Sequence, residues 1–177
     1  FEKNKFNWVN ILSKRKLHPN YLHGFKTQQN NKVFNFIRLN IYPDGGVARL
    51  KLLGNLDVSK LKFPNKKFDL LSILNGSKIV ACSDEHFGRA ENLLLPFKSK
   101  NMGNGWETKR RRGSGYDWVI IKLGKAGLIE KFNIETHYFK GNYPSHCSVQ
   151  GLYSIKNINI SKLINESKNW KLSLIHI

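Results

Sequence analysis

Residues 33–53 constrain the fold of this chain more than any other stretch. Val33 to Tyr42 alternates apolar and polar side chains, with Phe34 and Phe36 followed by Ile37-Arg38-Leu39-Asn40-Ile41. A period of two sends successive side chains to opposite faces, the pattern of a half-buried strand. Pro43-Asp44-Gly45-Gly46 follows. Proline presets φ there and the glycines accept positive φ, so the chain turns. Val47 to Leu53 alternates again, with Arg49 and Lys51 on one face. The spacing predicts a hairpin. Further strands are expected at Val119 to Gly124 and Leu128 to Thr136, around a Gly-containing turn, and at Ser148 to Ile155, with Asn75 to Cys82 leading into a charged stretch. Helical periodicity is weak, and Ala90 to Leu95 offers one short turn. Many short strands between Gly and Asn turns predict an all-β fold, an antiparallel β-sandwich or jelly roll.

A chain of 177 residues, 40% hydrophobic and 12% aromatic, is long enough to bury a core and too apolar to be disordered. Its net charge of +18 suits an anionic partner, whether nucleic acid, membrane surface or small carboxylate. The lysines run along the whole length, with one dense run at Lys109 to Arg112, so a lysine-drifted surface is the simpler reading of the charge as a whole. No apolar run approaches the ~18 residues of a membrane span and no signal peptide is visible, so no membrane role is expected. Cys82 and Cys147 lie far apart without CxxC or Cys/His ligand spacing. That spacing gives zinc no support and favours a reducing, cytoplasmic setting.

Asn55 to Leu70 is lysine-rich, contains Pro64 and breaks the strand rhythm, as a linker would. Asn7-Trp8-Val9-Asn10-Ile11-Leu12 resembles Asn169-Trp170-Lys171-Leu172-Ser173-Leu174. A repeat unit close to ~160 residues follows from that spacing. The expected organisation is the last third of one copy at 1–54, a linker at 55–70, and the first two-thirds of a second copy at 71–177. With Phe1 in place of an initiator methionine, the chain is expected to be a fragment, and inactive by itself because strands are missing from each copy.

Chemistry concentrates between Cys82 and Asp117. Asp84, Glu85, Glu91 and Glu107 lie there with His86, Arg89 and the run Lys109-Arg110-Arg111-Arg112. Burying so many ionisable groups unpaired is costly, so the stretch suits a site for a small charged ligand.

Six motifs carry a family resemblance. They are Tyr42-Pro43-Asp44-Gly45-Gly46-Val47-Ala48-Arg49, Ser83-Asp84-Glu85-His86-Phe87, Glu91-Asn92-Leu93-Leu94, Gly105-Trp106-Glu107-Thr108, Asp117-Trp118-Val119-Ile120 and Phe139-Lys140-Gly141-Asn142. In this order the chain resembles the allantoicases over most of residues 33–150. The resemblance implies tandem jelly-roll sandwiches of the discoidin or galactose-binding type, assembly into a homo-oligomer, and hydrolysis of allantoate to ureidoglycolate and urea. Three positions depart from the family pattern. Asn104 and Glu135 each stand where Asp is usual, and His137-Tyr138 stands where a small residue precedes His. A one-residue shift changes the face of a strand, so the family histidine is not carried onto His137.

Allantoate bears a carboxylate and two ureido groups on one carbon. Its hydrolysis needs a cation for the carboxylate, an acid for the leaving nitrogen, a base for water, and amide-like groups for the ureido arms. Arg110 is the expected carboxylate clamp, because a guanidinium grips in bidentate fashion, and Arg112 shares its face if the run is extended. A solvated basic run is the plainer alternative; nucleic-acid binding has no motif behind it. Glu107 sits beside Trp106, whose apolar face favours a protonated general acid, whereas pairing with the arginines favours the carboxylate. Asp84 and His86 alternate, so on a strand they share a face and form a pair, or hold a divalent metal; a structural His–Asp pair is the commoner outcome. Glu85 then points away. Glu91 suits either capping, which is favoured, or ureido binding together with Thr108 and Asn142. Asp117 is expected to pair with the arginine run. Asp44 and Arg49 are expected to do no more than turn and pair the first-copy strands. A non-catalytic sandwich module binding carbohydrate or a small anion is the alternative function, because a fold does not settle activity.

Overall fold

The computed structural model describes residues 6–27, 32–56, 68–154 and 158–168. Ten strands follow in order: β1 (Val9–Lys16), β2 (Leu22–Lys26), β3 (Val33–Tyr42), β4 (Gly46–Val47), β5 (Arg49–Leu56), β6 (Phe68–Asp69), β7 (Lys78–Cys82), β8 (Trp106–Glu107), β9 (Asp117–Glu135) and β10 (His146–Leu152). One helix, α1 (Ile160–Lys168), closes the described chain. Every strand pairing is antiparallel. The fold is an all-β sandwich.

β9, 19 residues long, organises it. Its first half lies between β3 and β7, and its second half between β5 and β2. Beyond β3, β10 and then β1 extend the sheet; β6 lies outside β5. Val119, Ile121 and Leu123 point into the main core with Ile37, Leu39 and Phe132. Trp118 and Ile120 point the other way, into a second cluster with Phe36, Leu152 and Leu163 of α1. Period-two alternation thus feeds both faces of one strand. Each such fully buried side chain contributes about 1.5–3 kcal/mol relative to exposure.

The expected hairpin of residues 33–53 does not form. β3 and β5 both pair with β9, along different halves of it, and not with each other. The Pro43–Gly46 turn does reverse the chain, but Gly46 and Val47 pair with β8, and β5 starts on the far part of β9. The expected Gly-containing turn in residues 124–127 is likewise absent, because β9 runs through it. A Cβ at Gly127 would lie 2.7 Å from the carbonyl oxygen of Asn55, and one at Gly124 would overlap the main chain of Asn75. These glycines admit close backbone approach. No element is expected from the sequence reading at β1, β2 or α1. In β1, register shifts beside Leu12 interrupt the ladder and leave adjacent Ile11 and Leu12 both buried, which erases the alternation. The proposed linker falls largely on residues 57–67, and Asn169 to Leu174 of the internal repeat also lies outside the described residues.

Candidate functional site

The charged stretch folds as loops around the small sheet of β4 and β8. Gly46 pairs with Glu107 and Val47 with Trp106. On the other side of Glu107, Gly88 forms a bridge to its main chain. Trp106 is fully buried in the main core, and its indole N–H donates to the Asp84 carbonyl at 2.8 Å. Glu107, next in the strand, points to the opposite face. Its Oε1 accepts a hydrogen bond from Asn142 Nδ2. The same nitrogen lies 3.8 Å from Met102 Sδ. The Asn142 carbonyl accepts from Gly46 N–H at 2.7 Å, and buried Thr108 accepts from Gly45 N–H through Oγ1 at 3.1 Å. Gly45 has φ +124°, and a Cβ there would lie 2.6 Å from the Asn142 oxygen, so only glycine fits this crossing. Residues ninety-odd apart in sequence are therefore held on one backbone frame.

Beside it lies a pocket of about 290 Å³ lined by Asp84, Lys109, Arg110, Arg111, Arg112 and Asp117, with Gly113 and Ser114 between. Arg111 and Asp117 form an ion pair at 2.6 Å, with the carboxylate almost wholly buried and also accepting from Ser83 Oγ at 2.9 Å. This is the pairing expected of Asp117. Main-chain N–H groups anchor the run as well: Arg111 N donates to Asp44 Oδ2 at 2.6 Å and Lys109 N to Asp84 Oδ2 at 2.7 Å. Arg110 and Arg112 stay exposed. Four cations against two carboxylates leave the pocket two positive charges in surplus, a setting that draws small anions.

Asp84 and His86 meet differently from the strand expectation. β7 ends at Cys82, and Asp84 Oδ2 accepts from the main-chain N–H of His86 at 3.3 Å. The His86 ring packs edge-on against Phe87 at 4.5 Å between centroids. That oxygen thus takes two main-chain N–H groups, from His86 and Lys109. Among the described residues no group of three or more His, Cys, Asp or Glu side chains gathers that could hold one. Glu85 caps the one-turn 3-10 helix Ala90–Leu94, accepting from Ala90 N–H at 3.0 Å. Glu91 pairs with Arg89 at 3.3 Å. Asn92 donates to the carbonyl oxygen of Gly105 at 2.9 Å and so ties that turn to β8. Of the sequence-derived set, the fold therefore brings Glu107 to Asn142, and Arg110 and Arg112 to Asp84. Trp106 and Thr108 build the frame, and Glu85, Glu91 and His86 have local partners.

Sequence reasoning gave Arg49 no more than a turn and strand-pairing role. Its side chain is fully buried. Nε donates to the Phe97 carbonyl at 2.8 Å, and Nη1 to the carbonyls of Ala48, at 2.5 Å, and Asn104. Burial pushes its pKa down, partly opposed by Glu135, its register partner across the ladder. Glu135 in turn faces Lys51 at 4.0 Å and His137 at 3.3 Å. Two departures from the family pattern, Asn104 and Glu135, thus flank one guanidinium. The available signal was a cation between Ala48 and Leu50 in an apolar run. The thiols are chemically quiet: both cysteines are free, and burial pushes Cys82 and Cys147 up to about 12.

These features define an all-β sandwich with a cation-rich loop site beside a Glu–Asn pair. A family model for the allantoicase repeat matches residues 1–57 and 68–176, and the chain belongs to the allantoicase family. It is 46% identical over 167 residues to a "Probable allantoicase" of Acinetobacter baumannii, covering 94% of this chain and 49% of that protein. Proteins of the same description from Acinetobacter baylyi (45% over 167 residues, 94% and 49%) and Pseudomonas fluorescens (47% over 166 residues, 93% and 49%) are similarly close. The chain spans about half the length of the curated relatives it matches. No solved structure matches it significantly.

Proposed function

We propose that this chain carries an allantoicase site, hydrolysing allantoate and water to ureidoglycolate and urea. The observation that carries the reading is the Glu107–Asn142 hydrogen bond beside the basic pocket, on the residues that bear the family resemblance. Arg110 and Arg112 hold the substrate carboxylate. Asn142 holds a ureido arm and, through its hydrogen bond, orients Glu107. Glu107 protonates the departing nitrogen as the C–N bond breaks, and the water oxygen bonds to the same carbon. Asp84 stands in the same pocket as the candidate base. In this reading residues 1–54 and 71–177 belong to successive copies of the repeat, and the reaction proceeds in a reducing cytoplasm within a homo-oligomer. Two free thiols support the setting.

Urea release from allantoate, with and without chelator, is the test. Glu107→Gln is expected to lower turnover by about 10²-fold or more, with KM little changed. Arg110→Ala is expected to raise KM by about tenfold at least, since a charge-assisted hydrogen bond is lost. No urea from a folded chain would replace this reading with that of an anion-binding module.

A further inference from the structure

Arg49 is the least exposed charged side chain among the described residues. A buried guanidinium costs more than it returns unless hydrogen bonds satisfy it. Among the described residues no direct carboxylate bond satisfies it: Glu135 lies opposite in the ladder, but its oxygens face Lys51 and His137. The donors go to main-chain carbonyls. Ala48 lies beside Arg49 at the mouth of β5, whereas Phe97 and Asn104 are the two ends of one loop. The Phe97 ring covers the guanidinium at 5.5 Å. Nη2 is buried without a hydrogen-bond partner among the described residues.

The loop so closed carries Met102, whose sulfur lies against the Asn142 nitrogen that donates to Glu107. Asn104 also folds back within the loop, its Oδ1 accepting from Lys100 N–H at 3.1 Å. Gly105, the next residue, packs on the Phe139 ring three residues before Asn142; a Cβ there would come within 2.6 Å of that ring. We propose that Arg49 is a positioning residue: it pins both ends of the 97–104 loop to the start of β5 and thereby sets where Asn142 meets Glu107. A planar fork reaches two carbonyls from separate directions; the single ammonium of lysine does not. The proposal rests on reading Glu107 and Asn142 as part of the site.

The test uses Arg49→Lys and Arg49→Met in the full 177-residue chain. Amide hydrogen exchange at Lys100, Asn104 and Gly105, all donors inside the loop, reports the pin. Exchange at Val119 and Ile121 reports the fold. Arg49→Lys is expected to leave the β9 amides protected and to speed loop exchange by about tenfold or more. Its turnover of allantoate should fall by about tenfold or more, with KM within about twofold, because the acid is displaced while the carboxylate pocket stays intact. Unchanged loop protection in Arg49→Lys overturns the proposal, as does a loosened loop with unchanged turnover. If Arg49→Met does not fold, Arg49→Lys decides alone. A wild-type chain that releases no urea defeats the functional reading only, and the exchange comparison still decides the pin.

Discussion

His23 shows how far a single side chain can be committed by its surroundings. It is buried, its Nδ1 lies 3.1 Å from the Ile134 carbonyl, and its Nε2 accepts the main-chain N–H of His18 at 2.9 Å. An acceptor at Nε2 requires the neutral ring with its proton on Nδ1. Burial lowers its pKa from 6.5, and His18 and His137 lower it further, against the raising effect of the Ile134 hydrogen bond. His146 shifts the same way, through burial, Lys14 and Lys16. The folded state then binds fewer protons than the unfolded one. Stability is complete above 6.5 and drains away as pH falls from there through the lowered value. Thermal unfolding should therefore show Tm dropping between about pH 7.5 and pH 5.5, with a shallower slope in His23→Gln. An equal slope in the variant would remove His23 from the account. At this scale the sequence was legible for Asp117 and unreadable for Arg49. Asp117 has its cation six residues away, on a stretch already conspicuous for charge. Two of the three carbonyls that hold Arg49, those of Phe97 and Asn104, are 48 and 55 residues distant, and a main-chain oxygen has no sequence signature.

Elements show where local chemistry and pairing part company. The turn at Pro43–Gly46 was legible because proline and glycine restrict or release φ within their own residues. The partner of each flanking strand was not, because pairing depends on which strand has ladder positions left to share. β9 is long enough to accept β3 on one half and β5 on the other. Phe139 illustrates the precision this imposes: Gly46 and Gly105 both lie against its ring. Gly105→Ala would place a Cβ 2.6 Å from the ring and 3.2 Å from Ala48 Cα. Overpacking of that kind should cost about 1–3 kcal/mol. For a domain of this size, that is roughly 2–4 °C in Tm per kcal/mol. Gly113→Ala, with nothing within 4 Å, should leave Tm unchanged and serves as the control. β1 was not legible at this scale, since bulges scramble its alternation, whereas α1 had its signal in the Asn159 side chain that accepts from Lys162 N–H at 3.1 Å.

Across the whole molecule the two matched segments interleave. From one sheet edge, β1, β10, β3, β9, β5 and β6 come alternately from residues 1–57 and 68–176. Among the described residues, seven of the eight strand pairings join the two segments and β7 with β9 lies within the second, so residues 1–57 have no strand pairing of their own. A peptide of residues 1–57 alone should therefore lack a β-sheet circular dichroism signal. Mixed with residues 68–177 it should regain one, with a midpoint that depends on concentration. Cleavage at a protease site built into residues 57–67 should leave the two pieces associated. Separate elution of two folded pieces would refute the interleaving.

The sequence by itself determined the fold class, the turn at Pro43–Gly46, the charged stretch and the family, because alternation, φ preference and residue identity are properties of neighbouring positions. Only the tertiary structure decided that Glu107 meets Asn142 and that Arg111 is spent on Asp117 while Arg110 and Arg112 stay free. It alone decided that Arg49 is a buried clamp. Those outcomes depend on which backbones come within hydrogen-bond reach, and that reach is set by strand partners distant in the chain.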